Sequence, residues 1–130
     1  MKKHDVENNR IKRQNYIVLG IFAGLIIAMV ITGCAYQEQH SFSTSKWETN
    51  PRERTQIVDD LLEAYELIGM QESEILDLLG DHDNDYGYFN EKNRFVYCLG
   101  PERGFISIDN EWLILDFADG VVVDCYITTD

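Results

Sequence analysis

Basic residues are scarce over most of this chain. From Cys34 to Asp130 there are six Lys and Arg residues against twenty-one Asp and Glu residues, a balance of −15 formal charges. Nucleic-acid binding depends on neutralising phosphates with Lys and Arg, so we expect no nucleic-acid partner. Anionic lipid head groups would also repel this charge. The charge indicates a well-solvated surface, with a basic partner or a bound cation as the alternative.

The patterns that hold zinc or activate a nucleophile are also missing. The three cysteines and three histidines form no CxxC or HxxxH pair that would place two zinc ligands on one element. His82 is distant along the chain from Cys98 and from Cys125, so we expect no general base beside either thiol. No motif isolates a pair of carboxylates. We therefore predict a non-enzymatic protein without a cofactor.

One acidic stretch carries part of a calcium-binding pattern. Asp81, Asp83 and Asp85 alternate as the first three ligand positions of a calcium loop do. The sixth position holds Tyr86, where the loop requires Gly, and the twelfth holds a lysine, where a bidentate Glu belongs. The favoured interpretation is a solvated acidic loop. The alternative is a calcium-responsive envelope sensor that uses residues 81–91.

Against these absences stands one long uncharged run at residues 15–36. Its apolar part, Ile17 to Ile31, is shorter than the roughly twenty residues that a helix needs to cross a bilayer. The run ends in Ile31-Thr32-Gly33-Cys34, which resembles the lipobox of bacterial lipoproteins. That resemblance implies cleavage before Cys34 and attachment of diacylglycerol to its thiol. An uncleaved single-span anchor is the alternative.

The charges that flank this run predict its orientation. Residues 1–16 carry five Lys and Arg residues against two acidic residues, and a positive bias of this kind keeps a segment cytoplasmic. We predict four regions: a cytoplasmic basic region at 1–16, a lipoprotein signal peptide or membrane anchor at 17–36, a flexible polar tether at 37–50, and a folded extracytoplasmic domain at 51–130.

Two helices are predicted at the start of the folded domain. The first begins with an N-cap at Asn50 and a proline after it, and its apolar face continues at helical spacing to Ile68. The second extends from about Gln71 to Leu79. A glycine that suits the C-cap follows each helix.

Three strands are predicted after the helices, at Arg94–Leu99, Glu111–Phe117 and Val121–Ile127. A two-residue turn at Asp119-Gly120 would place the apolar residues of the last two strands on opposite faces, so we adopt a three-residue loop that unites them. The predicted fold is α+β, with two N-terminal helices packed on one face of a three-stranded antiparallel meander. An N-terminal apolar membrane helix precedes it.

This register leaves a second, partly apolar face on the sheet. Its residues are Trp112, Ile114, Val122 and Tyr126. One interpretation is a partner-binding surface, because exposed apolar patches mark interaction sites. The other is burial under residues 81–93 or 101–108.

The two cysteines of the folded domain fall on the outer strands of this meander. Cys98 and Cys125 would lie about 9.6 Å apart across two strand spacings. That separation exceeds the limit of roughly 7 Å for the Cα atoms of a disulfide. We therefore predict two buried free thiols.

Residues 67–80 (LIGMQESEILDLLG) resemble the helical signature of the SmpA/OmlA/BamE lipoproteins, which are similar in turn to the repeats of β-lactamase-inhibitor proteins. The likeness consists of a Gly-Met start, a Glu in the first turn and a Leu-Gly stop before antiparallel strands. The proline that usually follows the Leu-Gly stop is absent here. The resemblance implies an α+β fold that binds another envelope protein, in assembly or inhibition. A single-span membrane protein of another function is the alternative.

The lipobox interpretation predicts the mass of the mature protein. Intact mass spectrometry of the protein purified from membranes should give the mass of residues 34–130 plus a diacylglyceryl group on Cys34. The mass of the uncleaved chain would contradict cleavage and favour the single-span anchor.

Overall fold

The computed structural model describes residues 2–84, 89 and 91–130, and the side chains from residue 5 onward. The fold is α+β, with a long N-terminal apolar helix and a three-stranded antiparallel sheet. The chain divides into two compact units, Met1–Glu38 and Gln39–Asp130. The elements in order are α1 (Lys2–His40), α2 (Thr44–Thr49), a 3₁₀ helix (Pro51–Gln56), α3 (Val58–Ala64), α4 (Glu72–Leu79), β1 (Arg94–Pro101), β2 (Asn110–Ala118) and β3 (Val121–Thr129).

Helix α1 contains the predicted apolar segment. Its stretch Asp5–His40 contains an 18-residue window that is long and apolar enough to cross a membrane, with a mean hydropathy of 2.6 and no part of the window buried. These properties are compatible with a membrane anchor or a signal sequence, because both require one long exposed apolar helix. Cleavage and lipidation at Cys34 stay predictions.

The folded unit begins before the predicted boundary at residue 50. Trp47 lies on α2 and is completely buried, and Phe42 packs against the same core. The side chain of Ser43 caps α2 by accepting a hydrogen bond from the backbone N–H of Lys46. The prediction of a flexible tether is therefore wrong from Phe42 onward. Aromatic burial outweighs the polar character of the neighbouring residues.

The predicted first helix is divided into a 3₁₀ helix and α3, and it ends at Ala64 instead of Ile68. Its backbone becomes extended at Tyr65. The N–H of Gly69 then donates to the carbonyl of Val122 at 2.9 Å, and the N–H of Val122 donates to the carbonyl of Met70 at 2.9 Å. Pairing with β3 outweighs the local helical spacing, since it satisfies backbone groups at the sheet edge.

Helix α4 confirms the second predicted helix almost to the residue. The backbone N–H of Gln71 donates to Oε2 of Glu74 at 2.8 Å, which satisfies one donor at the helix start. Gly80 is the C-cap with a φ of +70°. Ile75 and Leu79 of its apolar residues are buried, whereas Leu76 is 37% exposed.

All three predicted strands are present, and each observed end lies within two residues of the prediction. The order β1-β2-β3 is the predicted antiparallel meander. The side chains of one sheet face join the helices in a main core. That main core consists of Trp47, Ile57, Val58, Leu61, Leu67, Ile75, Leu79, Tyr97, Leu99, Leu113, Leu115, Phe117 and Val122.

The predicted three-residue loop between β2 and β3 is wrong. Ala118 pairs with Val121, so the turn contains only Asp119 and Gly120, both at positive φ (51° and 76°). A β-bulge follows, because Asp116 pairs with Asp124 while the next residue along β2 pairs with Val122. Val123 is the extra residue. The bulge restores the register in which the apolar residues of both strands share one face.

Gly100 permits a close approach of two backbone segments. It has a φ of +108°, and a Cβ placed there would lie 2.2 Å from the carbonyl oxygen of Arg52. Gly69 has a φ of +92° but open space around it. We expect Gly69→Ala to cost about 1–2 kcal/mol from backbone strain alone. Gly100→Ala should cost at least about 3 kcal/mol, because overpacking adds to the strain.

Denaturant unfolding of the full-length protein, followed by tryptophan fluorescence, measures both costs. Equal losses of stability for the two variants would contradict the predicted clash with Arg52.

Candidate partner-binding surface

The centre of the second sheet face is buried, so the interpretation of that face as a binding surface is wrong for two of its residues. Trp112 is 6% exposed and Ile114 is fully buried, and together with Val96 they form a second cluster. The ring of Phe89 meets the ring of Trp112 edge-on at 6.1 Å. Phe89, which lies within the residues 81–93 of the alternative interpretation, therefore contributes to the cover.

The other two residues of the predicted patch separate. Val122 is 1% exposed and belongs to the main core, because the β-bulge turns it toward the helices. Tyr126 pairs with Ile114 on the second face and is 38% exposed. The structure thus does not bring the four predicted residues together as one exposed surface.

The outer edge of β1 is closed by side chains and backbone of residues 83 and 84. Asn84 accepts from the N–H of Val96 at 2.9 Å and donates to the carbonyl of Arg94 at 2.7 Å. The N–H of Asp83 donates to the carbonyl of Val96 at 2.7 Å. Oδ2 of Asp83 accepts from the N–H of Cys98 at 2.9 Å. Each of these contacts satisfies a group that an edge strand would otherwise leave unpaired.

Arg54 completes the closed edge from inside the protein. Its guanidinium donates to the carbonyl of Trp47 at 2.9 Å, to the carbonyl of Cys98 at 3.0 Å and to Oδ2 of Asp83 at 2.9 Å. It also lies 4.8 Å from the centre of the Trp47 ring. The side chain is 5% exposed, and its charge is balanced by that of Asp83. A buried guanidinium requires partners of this kind.

This arrangement bears on the weak calcium candidate. Oδ2 of Asp83 is already engaged by Arg54 and by the backbone of Cys98. Asp81 is exposed, and Asp85 lies outside the described residues. Within the part of the chain that the structure describes, no group of three His, Cys, Asp or Glu side chains is arranged to hold a metal ion.

The two cysteines of the folded unit lie on opposite faces of the sheet. Cys98 packs against the second cluster and Cys125 against the main core. Both thiols are free, as predicted, but each cysteine is only partly buried. Burial, together with the neighbouring charge of Asp124, raises the pKa of Cys125 to about 11. Burial also raises the pKa of Cys98. Both thiols are therefore protonated at neutral pH, which makes them poor nucleophiles.

Among the residues that the structure describes, only the start of β3 has its outer edge closed. The backbone N–H and C=O of Val96 bond to residues 84 and 83 and therefore point away from β2. Val96 pairs with Ile114, so the N–H and C=O of Ile114 point away from β1 and toward β3. Ile114 pairs with Tyr126, and the backbone groups of Cys125 and Ile127 on either side of Tyr126 consequently point away from the sheet. Among the described residues, no backbone group is bonded to them there.

A groove lies beside this open edge, and we call it the edge groove. Its volume is about 380 Å³, and its lining contains apolar and acidic side chains from the end of α3 and the segment that follows. Leu62, Tyr65 and Ile68 are 37%, 42% and 52% exposed. The lining residues are Leu62, Glu63, Tyr65, Glu66, Leu67, Ile68 and Cys125.

Sequence reasoning missed the edge groove for a specific reason. Leu62, Tyr65 and Ile68 fit the spacing of one buried helix face as well as Leu61 does. The chain leaves the helix at Tyr65 because Gly69 and Met70 pair with β3, and the sequence carries no local signal for that pairing.

A comparison with protein-family models, curated protein sequences and solved structures finds no match to this chain. The resemblance to the SmpA/OmlA/BamE lipoproteins therefore stays a prediction from residues 67–80.

We predict that Arg54→Lys lowers the free energy of unfolding by about 2–4 kcal/mol, because lysine lacks the fork that serves three acceptors at once and leaves Asp83 partly unpaired. Arg52→Lys is the matched control, since Arg52 is exposed and should tolerate the change within about 0.5 kcal/mol. Urea unfolding of the full-length protein measures both values. Equal stability of the two variants would contradict the role of Arg54.

Proposed function

We propose that this chain is a membrane-tethered extracytoplasmic module that binds another envelope protein through the edge groove. One observation carries the proposal. Apolar side chains are exposed in a groove beside an unpaired strand edge, on a unit that is strongly acidic. Exposed apolar surface of this kind is typical of interaction sites.

The N-terminal segment supports the tether. Helix α1 has the length and hydropathy for a membrane anchor or a signal sequence. In our proposal Cys34, which is exposed on α1, receives the lipid after cleavage. The basic residues before the helix favour a cytoplasmic start and an extracytoplasmic folded unit. In the single-span alternative the same binding module stays attached by the uncleaved helix.

The helices give the edge groove its floor in this proposal. Residues of α3 and α4 share the main core with one face of the sheet, which supports a layer of helices on that face. The groove lies where this layer ends, between the last turn of α3 and Cys125 of β3. A partner would therefore contact a surface that is fixed on the α3 side by packing in the main core and on the β3 side by pairing with β2.

We predict that Ile68→Glu reduces partner binding at least tenfold without unfolding the protein. Ile68 is 52% exposed, so the new charge is tolerated in the free protein but must be desolvated against an apolar partner surface. The measurement is photo-crosslinking in membranes that contain the full-length protein, with a photo-reactive amino acid in place of Tyr65. Mass spectrometry quantifies the partner protein that is crosslinked.

Ile106→Glu is the matched control, because Ile106 is an equally apolar residue, 68% exposed, that does not line the edge groove. Thermal unfolding of both variants checks that they stay folded. Equal capture by Ile68→Glu and the wild type would contradict the proposed surface, as would equal losses in the two variants.

A further inference from the structure

We propose that the partner contributes an extended, basic segment that pairs with the open part of β3 as a fourth strand, at Cys125–Thr129. This inference rests on the proposed function and specifies the chemistry of the partner. The carrying observation is an unpaired strand edge whose flanking groove is apolar and acidic. Addition of a strand is a common mode of peptide recognition, because the backbone supplies affinity and the alternating side chains supply specificity.

The two edges of the sheet differ in a way that selects β3. On β1, the outward groups of Arg94, Val96 and Cys98 are engaged by Arg54, Asp83 and Asn84. On β3, Gly69–Glu72 engage the outward groups at the turn and at Val122. The only internal bond that an outward group makes beyond that point is from the N–H of Cys125 to Oδ1 of Asp124, among the described residues.

The open part of β3 has the length of a short strand. In an antiparallel pair, alternate residues direct their backbone N–H and C=O away from the neighbouring strand. On β3 these residues are Cys125, Ile127 and Thr129, whereas Tyr126 and Thr128 direct their N–H and C=O toward β2. A partner strand of about five residues would match this stretch, which is close to the usual strand length. The segment Gly69–Glu72 would precede it along the same edge.

The side chains around the edge specify a basic and apolar strand. A residue of the added strand opposite Cys125 would point to the same face as Cys125, toward Leu62 and Tyr65 of the edge groove. Glu63 and Glu66 line the same groove, and Asp124 is exposed beside the edge. Apolar side chains on the groove face of the added strand would contact Leu62 and Tyr65, and Lys or Arg side chains on its other face would lie beside Asp124. The negative charges of Glu63 and Glu66 add to the attraction of a basic strand.

Charge also disfavours a second copy of this chain as the occupant. Antiparallel pairing of two Cys125–Thr129 stretches would place Asp124 of one copy opposite Asp130 of the other. Like charges across a strand pair are destabilising. The folded part carries −15 formal charges from Cys34 to Asp130, so the repulsion also acts at longer range.

The test uses the full-length protein in detergent micelles and a synthetic seven-residue peptide that alternates lysine with valine. Hydrogen exchange at Ile127 and Thr129 should slow at least tenfold when the peptide binds, since their N–H groups gain acceptors. Affinity should fall at least tenfold when alternate peptide backbone nitrogens are methylated. It should also fall when glutamate replaces lysine or when salt is raised.

Ile127→Pro is the variant that removes one outward N–H, and proline is tolerated at edge positions. It should weaken the peptide at least tenfold, whereas Ile127→Val keeps the N–H and should bind within threefold of the wild type. Thr129→Pro serves as a second variant because Thr129 is exposed and near the strand end. Circular dichroism establishes that each variant is folded.

Three results would overturn the inference: equal peptide binding by the folded proline variants, equal binding of the glutamate peptide, or a wild-type dimer that Ile127→Pro dissociates. The last would identify a second copy as the occupant. Failure of the strand-pairing inference is distinguishable from failure of the proposed function. Partner capture that depends on Ile68 but is unchanged by Ile127→Pro would leave the function standing, whereas peptide pairing without any groove-dependent partner would remove the function alone.

Discussion

The buried guanidinium of Arg54 is the interaction on which the rest of the folded unit depends. It joins α2, the 3₁₀ helix, residue 83 and β1 through three hydrogen bonds and a stacking contact with Trp47. An unpaired charge at this position would carry a large desolvation cost. The geometry of all four segments is therefore coupled, and the acidic residue Asp83 has a structural role that its loop sequence does not reveal.

This coupling gives the two edges of the sheet different properties. The side chains of Arg54, Asp83 and Asn84 close the edge of β1. In the described part of the chain, backbone groups close the edge of β3 only from the turn to Val122. Edge strands promote unwanted pairing unless they are covered, charged or bulged. β3 has two of these features next to Val122, namely the β-bulge at Val123 and the charged residue Asp124. Its remaining stretch, Cys125–Thr129, lies beside acidic side chains, and the basic partner strand that we propose for it would match that charge.

The elements that local sequence specifies were predicted well. Helix α4 has its cap, stripe and stop within ten residues, and the three strands have β-branched and aromatic runs between glycine-rich breaks. The first helix, the hairpin register and the candidate binding face were predicted less well. Each depends on contacts between distant residues, such as Gly69 with Val122 and Phe89 with Trp112. Intrinsic helix and strand propensities, and the periodicity of apolar residues, depend on residues close in sequence and do not include these contacts.

The sequence alone determined the α+β class, the apolar N-terminal helix, the strand order and the acidic character of the folded unit. Those properties follow from composition and short-range pattern, which are the same in any context. Tertiary structure decided that Trp47 belongs to the core, that the bulge turns Val122 inward, and that Trp112 and Ile114 are covered. It also decided where an edge stays open, because backbone groups are satisfied by whichever partners the whole fold brings within hydrogen-bond distance.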